Sequence, residues 1–494
     1  MIDSDTALSR IKRGRFLIDG AWIERDHRRT FDIVTPSDET VFASVPLAEI
    51  ADIDAAVQAA RRAFDHGPWP RLSHRERGAY LSAIADRLDS QKELLGSLWT
   101  HEVGGLAGHS IAMVQGAAQI FRDYARLAGE FAFVERHAPT AGGAVGLLVH
   151  EPVGVVGAII PWNAPVLMLA TKLAPALLAG CTVVVKSSPE APLEAVVLGE
   201  IVESLGIPAG VVNIVMADRS ESEALVVHEG VDKISFTGSS AVGQRVASLC
   251  GARMARSTLE LGGKSAAIVL DDSPLETVVN AVAPQVSMLS MQFCSALSRV
   301  IVPRRRQDAL VEALAAALND IRIGDPLDPA SQMGPMAMRR QLERAEGYIA
   351  GATSEGLTLA CGGGRPPGLN RGFYLQPTLF ADVPNTARIA REEVFGPVVC
   401  VIPADDEAQA IQFANETEFG LNNSIFTADI DRAMQVARRL RSGTVGHNGF
   451  RSDFGIAFGG FKRSGIGREG GRLGLLPYLE AKTVILEEEP SSFF

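Results

Sequence analysis

Short, continuously apolar runs alternate with amphipathic stretches over residues 153–261: strand VGVVGAII, loop PWNAP, helix VLMLATKLAPALLAG, strand TVVVK, loop SSPEAP, helix LEAVVLGEIVESLG, turn IPAG and strand VVNIV. A helix over 221–228, strand DKISF, turn TGSSAVG, helix QRVASLC and strand STLEL continue the series. Strands that lack polar alternation are covered on both faces, so the pattern predicts a parallel sheet between two layers of helices, in outline a doubly wound nucleotide-binding domain.

The flanking stretches read differently. FLIDGAWI at 16–23 predicts a short strand and turn, and apolar positions at helical spacing predict helices over 50–64, over 75–98 as one element, and over 110–127. A glycine-rich passage at 140–146 has the character of a hairpin tip. After residue 261 a helix over 274–289, strand RVIVP, helix RQDALVEALAAALNDI, helix EAQAIQFANE, strand NSIFT and helix DIDRAMQVARRL predict a second α/β domain. The terminal AKTVILEEEP is an apolar strand flanked by acids, and it needs a sheet edge in this chain or in a partner; we expect another subunit to supply it.

Composition narrows the function. The 494 residues, 47% of them hydrophobic and 21% charged, exceed one ordinary core and predict two or three domains. A net charge of −11 argues against nucleic acid and anionic membrane surfaces as partners. The N-terminus has no apolar signal region and no later run is long enough to span a membrane, so a cytoplasmic protein is expected. Cys181, Cys250, Cys294, Cys361 and Cys400 form no C-x-x-C pair, which predicts reduced thiols, and nine histidines without ligand spacing predict no metal site.

Five short constellations carry chemistry. Pro161-Trp162-Asn163 closes a buried strand, where open α/β sheets bind ligands; Asn163 can donate an amide there or cap the following helix. Lys186 ends the next strand and can meet ribose hydroxyls or phosphate, or lie in solvent. Gly238, Ser239 and Gly243 belong to a strand, turn and helix start whose backbone N–H groups suit pyrophosphate, without the G-x-G-x-x-G spacing. Glu260-Leu261-Gly262-Gly263 ends a strand on a carboxylate able to act as a base, and Glu392-Glu393-Val394-Phe395 pairs an acid with an aromatic that could lie against a flat ring. Cys294, among small and polar residues after an apolar helical run, is either a buried hydrophobe or a nucleophile, and a nucleophile needs a cation, base or helix end to favour thiolate.

In their order and spacing, FLIDGAWI, PWN, TVVVK, FTGSSAVG, ELGGKS, the Gln292 and Cys294 pair, EEVFGPV and FGGFKRSGIGRE closely resemble the aldehyde dehydrogenase superfamily over nearly the full length. The resemblance implies a Rossmann-type NAD(P)-binding domain at 1–128 and 150–261, a catalytic α/β domain at 262–468, and an oligomerisation segment at 129–149 and 469–494 that makes a homodimer or homotetramer. It implies that Cys294 is the nucleophile, that Asn163 and the Cys294 N–H hold the oxyanion, and that Glu260 is the base. It puts Lys186 and Glu393 on the two riboses, Trp162 and Ser239 near the phosphates, Phe395 beside the nicotinamide, and Pro161, Ser188, Gly238, Gly243 and Leu261 among the cofactor contacts.

Some positions depart from the family pattern. Pro189 stands where an acid commonly binds the adenine ribose, with Glu190 displaced by one, so NAD or NADP is left open and weak discrimination is expected. Ala164 and Thr171 replace bulky aromatics and Met291 replaces a glycine; with Phe293, Phe450 and Phe454 these predict a wide apolar tunnel for a bulky apolar or aromatic aldehyde. Arg451 would instead favour a semialdehyde with a distal carboxylate. A cofactor-independent cysteine esterase or hydrolase, a CoA-acylating dehydrogenase and a fold without chemistry are the competing readings.

Overall fold

The computed structural model describes residues 4–24 and 29–491. Its described residues form an eight-stranded, a seven-stranded, a three-stranded and a two-stranded sheet. Across the largest sheet the strands run Gly465–Ile466, Arg256–Glu260, Lys233–Thr237, Val155–Ile159, Thr182–Ser187, Val212–Met216, Phe16–Ile18 and Ala21–Ile23. The five central strands are parallel. Their side chains are almost all buried, as the lack of polar alternation requires when helices cover both faces.

Chain order reverses between Val155–Ile159 and Lys233–Thr237: from the former the sheet grows outward through two later strands on one side and two still later ones on the other. Such a reversal opens a crevice at the carboxyl ends of the strands, and the loops PWNAP, TGSSAVG and LGG all leave from there. FLIDGAWI is the antiparallel hairpin at one edge, turning through Asp19 at φ 54° and Gly20 at φ 74°, the positive-φ pair that a tight hairpin demands. The short strand Gly465–Ile466 closes the other edge by pairing with Arg256–Glu260, although it lies within the 262–468 stretch.

The second sheet runs Thr358–Cys361, Thr378–Ala381, Val398–Ala404, Arg299–Pro303, Ala266–Val269, Asn422–Phe426 and Thr444–His447, parallel throughout except for its first pair. Apolar clusters pack against both of its faces. The antiparallel strands Val134–His137 and Val145–Pro152 are joined by residues 138–144, so the glycine-rich passage at 140–146 covers most of the hairpin tip and the first two residues of the second strand.

Two expectations need correction. The stretch 75–98 is not one helix but parts of two, His74–Ser90 and Lys92–Val103, because Gln91 leaves helical geometry at φ −110° and ψ 11° and serves as the end of one and the start of the other. The terminal strand, Leu479–Leu486, finds its edge within its own chain: it pairs antiparallel with Val145–Pro152 at every position.

Candidate active site

The segment that carries Cys294 is bent by its backbone. Helix Leu275–Ser287 ends, and Leu289, Ser290 and Met291 then take left-handed φ of 50°, 49° and 58°, three consecutive non-glycine residues in a region that side chains disfavour. Anchors hold the bend. The Ser290 hydroxyl donates to the Gly334 and Pro335 carbonyls at 2.8 and 3.1 Å, the Gln292 amide donates to Leu289 O, and Gln292 Oε1 accepts from Ala337 N–H at 3.1 Å. Cys294 follows half-buried and lines a cavity of about 600 Å³. Burial, then the carboxylates of Glu393 and Glu260, push its thiol up against the opposing N–H groups of Cys294 and Ser295.

Asn163 reaches Cys294 from the other sheet. It does not cap helix Pro165–Ala179, whose cap position is Ala164; its Nδ2 donates instead to Gln292 O at 3.1 Å. One amide hydrogen is thereby committed and the other is available in the cavity that Asn163 and Cys294 both line. Trp99 Nε1 donates to Asn163 O at 3.0 Å and fixes the loop.

Glu260, at the end of its strand, is 2% exposed, and neither carboxylate oxygen has a hydrogen-bond partner among the described residues. Burial, helped by the nearby Glu469 carboxylate, holds its carboxyl well above the usual range, against the pull of Lys172 and Arg468. Beneath it, Lys172 is paired with Glu469 at 2.5 Å in the interior and donates to Thr237 Oγ1 at 2.8 Å.

The glycines after Glu260 allow close approach. A β-carbon on Gly263 would stand 2.3 Å from Cys294 O, and one on Gly262 would stand 2.5 Å from Glu393 Oε2. Glu393 accepts from Gly263 N–H at 3.0 Å, and burial raises its carboxyl to about 7. Phe395, at φ 61°, meets Trp162 edge-on with ring centroids 5.6 Å apart. Leu261 packs so near helix Ser240–Ala252 that a β-carbon on Gly243 would lie 2.3 Å from it; Ser239 caps that helix. Pro161, Trp162, Gly238, Ser239, Leu261, Glu393 and Phe395 all line the cavity that holds Cys294.

Lys186 and Ser188 lie one strand along. Lys186 is 8% exposed, its ammonium makes no hydrogen bond among the described residues, and burial lowers its pKa to about 8. The adenine-ribose acid expected to be missing is not absent from the neighbourhood: Glu190, one residue beyond Pro189, accepts from the Ser188 hydroxyl and is one of the charges felt by Lys186. Lys186, Ser188 and Gly243 are not among the residues that line the cavity of Cys294, but the uncommitted Lys186 cation and the capped helix start at Ser239 both stand at the carboxyl ends of parallel strands, as a dinucleotide site in a doubly wound sheet requires, and unpartnered buried oxygens of Glu260 and Gln341 lie in the cavity wall.

Ala164, Phe293, Phe450 and Phe454 line the cavity, with Trp99, Met113, Leu167 and Met168. Thr171 does not: it is fully buried in its helix and its hydroxyl donates to Met168 O. Arg451 is exposed and lines an adjoining recess of about 540 Å³ with Asn280 and Asn448. The sequence reading missed Trp99, Met113, Gln341 and Arg344, which come from helices far along the chain, and no short motif marks them.

Comparison with known proteins agrees with this geometry. The model of the Aldehyde dehydrogenase family matches residues 22–484. A geranial dehydrogenase of Castellaniella defragrans is 39% identical over 478 residues, 96% of this chain and 99% of the relative, and a 3-succinoylsemialdehyde-pyridine dehydrogenase of a Pseudomonas species is 38% identical over 474 residues, 95% and 98% respectively. Among solved structures, a Mycobacterium tuberculosis aldehyde dehydrogenase complexed with NAD+ superposes with a TM-score of 0.92 at 39% identity, covering 96% of this chain and 98% of that one. On its sequence, its sheets and the cavity between them, the chain belongs to the aldehyde dehydrogenase family and is an aldehyde dehydrogenase.

Proposed function

We propose that the protein oxidises a bulky apolar or aromatic aldehyde to its carboxylic acid with NAD+ or NADP+, through covalent intermediates on Cys294. The observation that carries the reading is the convergence of the Cys294 thiol, the Asn163 amide and the unpartnered Glu260 carboxylate on one cavity lined by Trp99, Leu167, Phe293 and Phe450. In this division of labour residues 1–128 and 150–261 hold the cofactor and 262–468 carry the nucleophile. The solved relative with NAD+ bound supports a dinucleotide in the cleft. Lys186 and Glu393 would meet its riboses, and Ser239 with the adjoining helix N–H groups its pyrophosphate. When bound, the nicotinamide ring supplies the hydride acceptor.

The chain's own groups do the rest. Glu260, raised in basicity by burial, takes the thiol proton, and the sulfur then bonds to the aldehyde carbon while the carbonyl electron pair moves to oxygen. Asn163 and the Cys294 N–H receive that oxyanion; loss of one such donor costs about 100- to 1000-fold in rate. When the oxyanion pair re-forms the carbonyl, the C–H bond breaks with its electrons and leaves a thioester on Cys294. Glu260 gives the thiol proton up to solvent and, ionised again, takes a proton from water, which attacks the acyl carbon and expels the thiolate; the acid leaves and the cycle is reset.

The substrate class rests on the cavity walls. Removal of apolar surface from water gives about 0.8 kcal/mol per methylene, so efficiency should climb severalfold per carbon until the space is filled. The relative named for geranial supports an apolar chain; the one named for a pyridine semialdehyde supports an aromatic one. The test is kcat/KM for acetaldehyde, hexanal, benzaldehyde and succinic semialdehyde, with the parent, Ala164→Phe and Cys294→Ala. Hexanal and benzaldehyde should lead, Ala164→Phe should depress them selectively, and Cys294→Ala should abolish oxidation and ester cleavage together. A lead for succinic semialdehyde would transfer the assignment to Arg451 and its recess.

A further inference from the structure

We propose that Arg340 determines which cofactor the enzyme accepts, by shuttling between Glu190 and a 2′-phosphate on the adenine ribose. The inference rests on the dinucleotide reading above and extends it to a residue from the other half of the molecule.

In a doubly wound sheet the group that reads the 2′ position stands just beyond the second strand: a carboxylate binds the hydroxyl of NAD, and an arginine accommodates the phosphate of NADP. The second of the parallel strands in chain order is Thr182–Ser187, and just past it the fold brings both kinds of group to one place. Glu190 is the carboxylate. It is pinned from both sides, accepting from the Ser188 hydroxyl on Oε2 and from Arg340 on Oε1 at 2.6 Å. Arg340 arrives on the first turn of helix Arg339–Ser354, whose residues Gln341 and Arg344 line the cavity of Cys294, so this helix end borders the cofactor cleft.

The exposures of the pair are unequal, and that inequality makes a switch. The Glu190 side chain is 15% exposed and held by its neighbours, whereas that of Arg340 is 57% exposed and has Glu190 as its sole ion-pair partner among the described residues. A guanidinium that far in water gives up one carboxylate for another anion at little cost, because exposed ion pairs are weak. With NAD, Arg340 stays on Glu190 while the carboxylate accepts from the 2′-hydroxyl. With NADP, the phosphate takes Arg340 in a charge-assisted, bidentate contact, on the side of Glu190 whose charge also acts on the buried Lys186 ammonium. Paired to Arg340, Glu190 also presents less net negative charge to an incoming phosphate than an unpaired acid would, which removes the usual repulsion. Dual use of NAD and NADP follows from this arrangement.

Binding is measured by calorimetry with adenosine 2′,5′-bisphosphate and with ADP, alongside kcat/KM for NADP and NAD, on the parent, Arg340→Ala, Arg340→Lys and Glu190→Gln. In the parent the two nucleotides should bind within about tenfold of one another. Arg340→Ala should lower the bisphosphate-to-ADP affinity ratio, and the NADP-to-NAD ratio with it, by about 10- to 100-fold, with Arg340→Lys between parent and alanine. Glu190→Gln should move both ratios the opposite way. If Arg340→Ala keeps both ratios within twofold of the parent, or weakens both nucleotides equally, the assignment of Arg340 is overturned. If neither nucleotide binds the parent at all, the dinucleotide reading falls and takes this inference with it.

Discussion

Two groups that the proposed mechanism makes reactive sit where burial favours their protonated forms. Burial and two carboxylates raise the Cys294 thiol, and burial with Glu469 raises Glu260. In the proposed mechanism both act in their deprotonated forms, so the reactive fraction grows as pH rises. The rate of the first turnover, followed as reduced nicotinamide in a stopped-flow instrument, should therefore increase from pH 6 towards pH 9, by up to about tenfold per unit where a single group limits. A flat profile would remove these groups from the rate-determining chemistry. Glu260→Gln separates its duties: if its main duty is to activate water, the variant should give a burst of about one reduced cofactor per site and then turn over slowly. An undiminished steady state would take Glu260 out of the hydrolytic step.

At the scale of elements, the strand ends were legible because parallel strands covered on both faces announce themselves as apolar runs, and the residue that ends each run is fixed at the crevice. Glu260 and Lys186 could be put there from sequence for that reason. What the pattern could not carry was direction and partnership. Thr171 turns into its own helix, Asn163 bonds to Gln292 from the opposite sheet, and Glu190 pairs with Arg340 from 150 residues away, outcomes set by packing and by contacts between distant segments. The helix that follows Asn163 rests on a further such contact: Glu194, fully buried, accepts from Val166 N–H at 2.9 Å at the start of Pro165–Ala179. Burial raises its carboxyl to about 8, from 4.5 in the unfolded chain. A pKa raised on folding means that the folded state holds the proton, so its stabilising contribution is present below pH 4.5 and is lost as pH rises to about 8. Glu194→Gln keeps an acceptor for Val166 and has no proton to lose. Its stability relative to the parent, measured by denaturant unfolding, should grow by about 1 kcal/mol per pH unit across that window. A constant difference would show that the carboxyl stays ionised in the folded protein.

At the scale of the whole molecule, no helix among the described residues is long and apolar enough to cross a membrane, and the three-stranded sheet leaves an edge open. Leu479–Leu486, Val145–Pro152 and Val134–His137 form the three-stranded sheet, with Leu479–Leu486 on its outside. Its small apolar cluster draws on Val145, Leu147 and Val149 with Val484 and Leu486, too little to stand as a domain by itself. One edge of the terminal strand is satisfied by its own chain, and the other presents unpaired backbone groups beside exposed Thr483 and Ile485, the latter 54% exposed. A long edge of that kind invites pairing with another chain unless charge or proline protects it. The expectation of a homodimer or homotetramer thus moves from the strand itself to its outer edge. Deleting the strand would damage the intrachain sheet as well, so the informative variant adds charge at the edge and leaves the inner pairing in place. Thr483→Lys with Ile485→Lys should lower the mass seen by light scattering to a smaller oligomer or the monomer, while circular dichroism stays that of the parent. An unaltered mass would mean that subunits meet through some other face, and that the terminal strand serves only to cover Val145–Pro152.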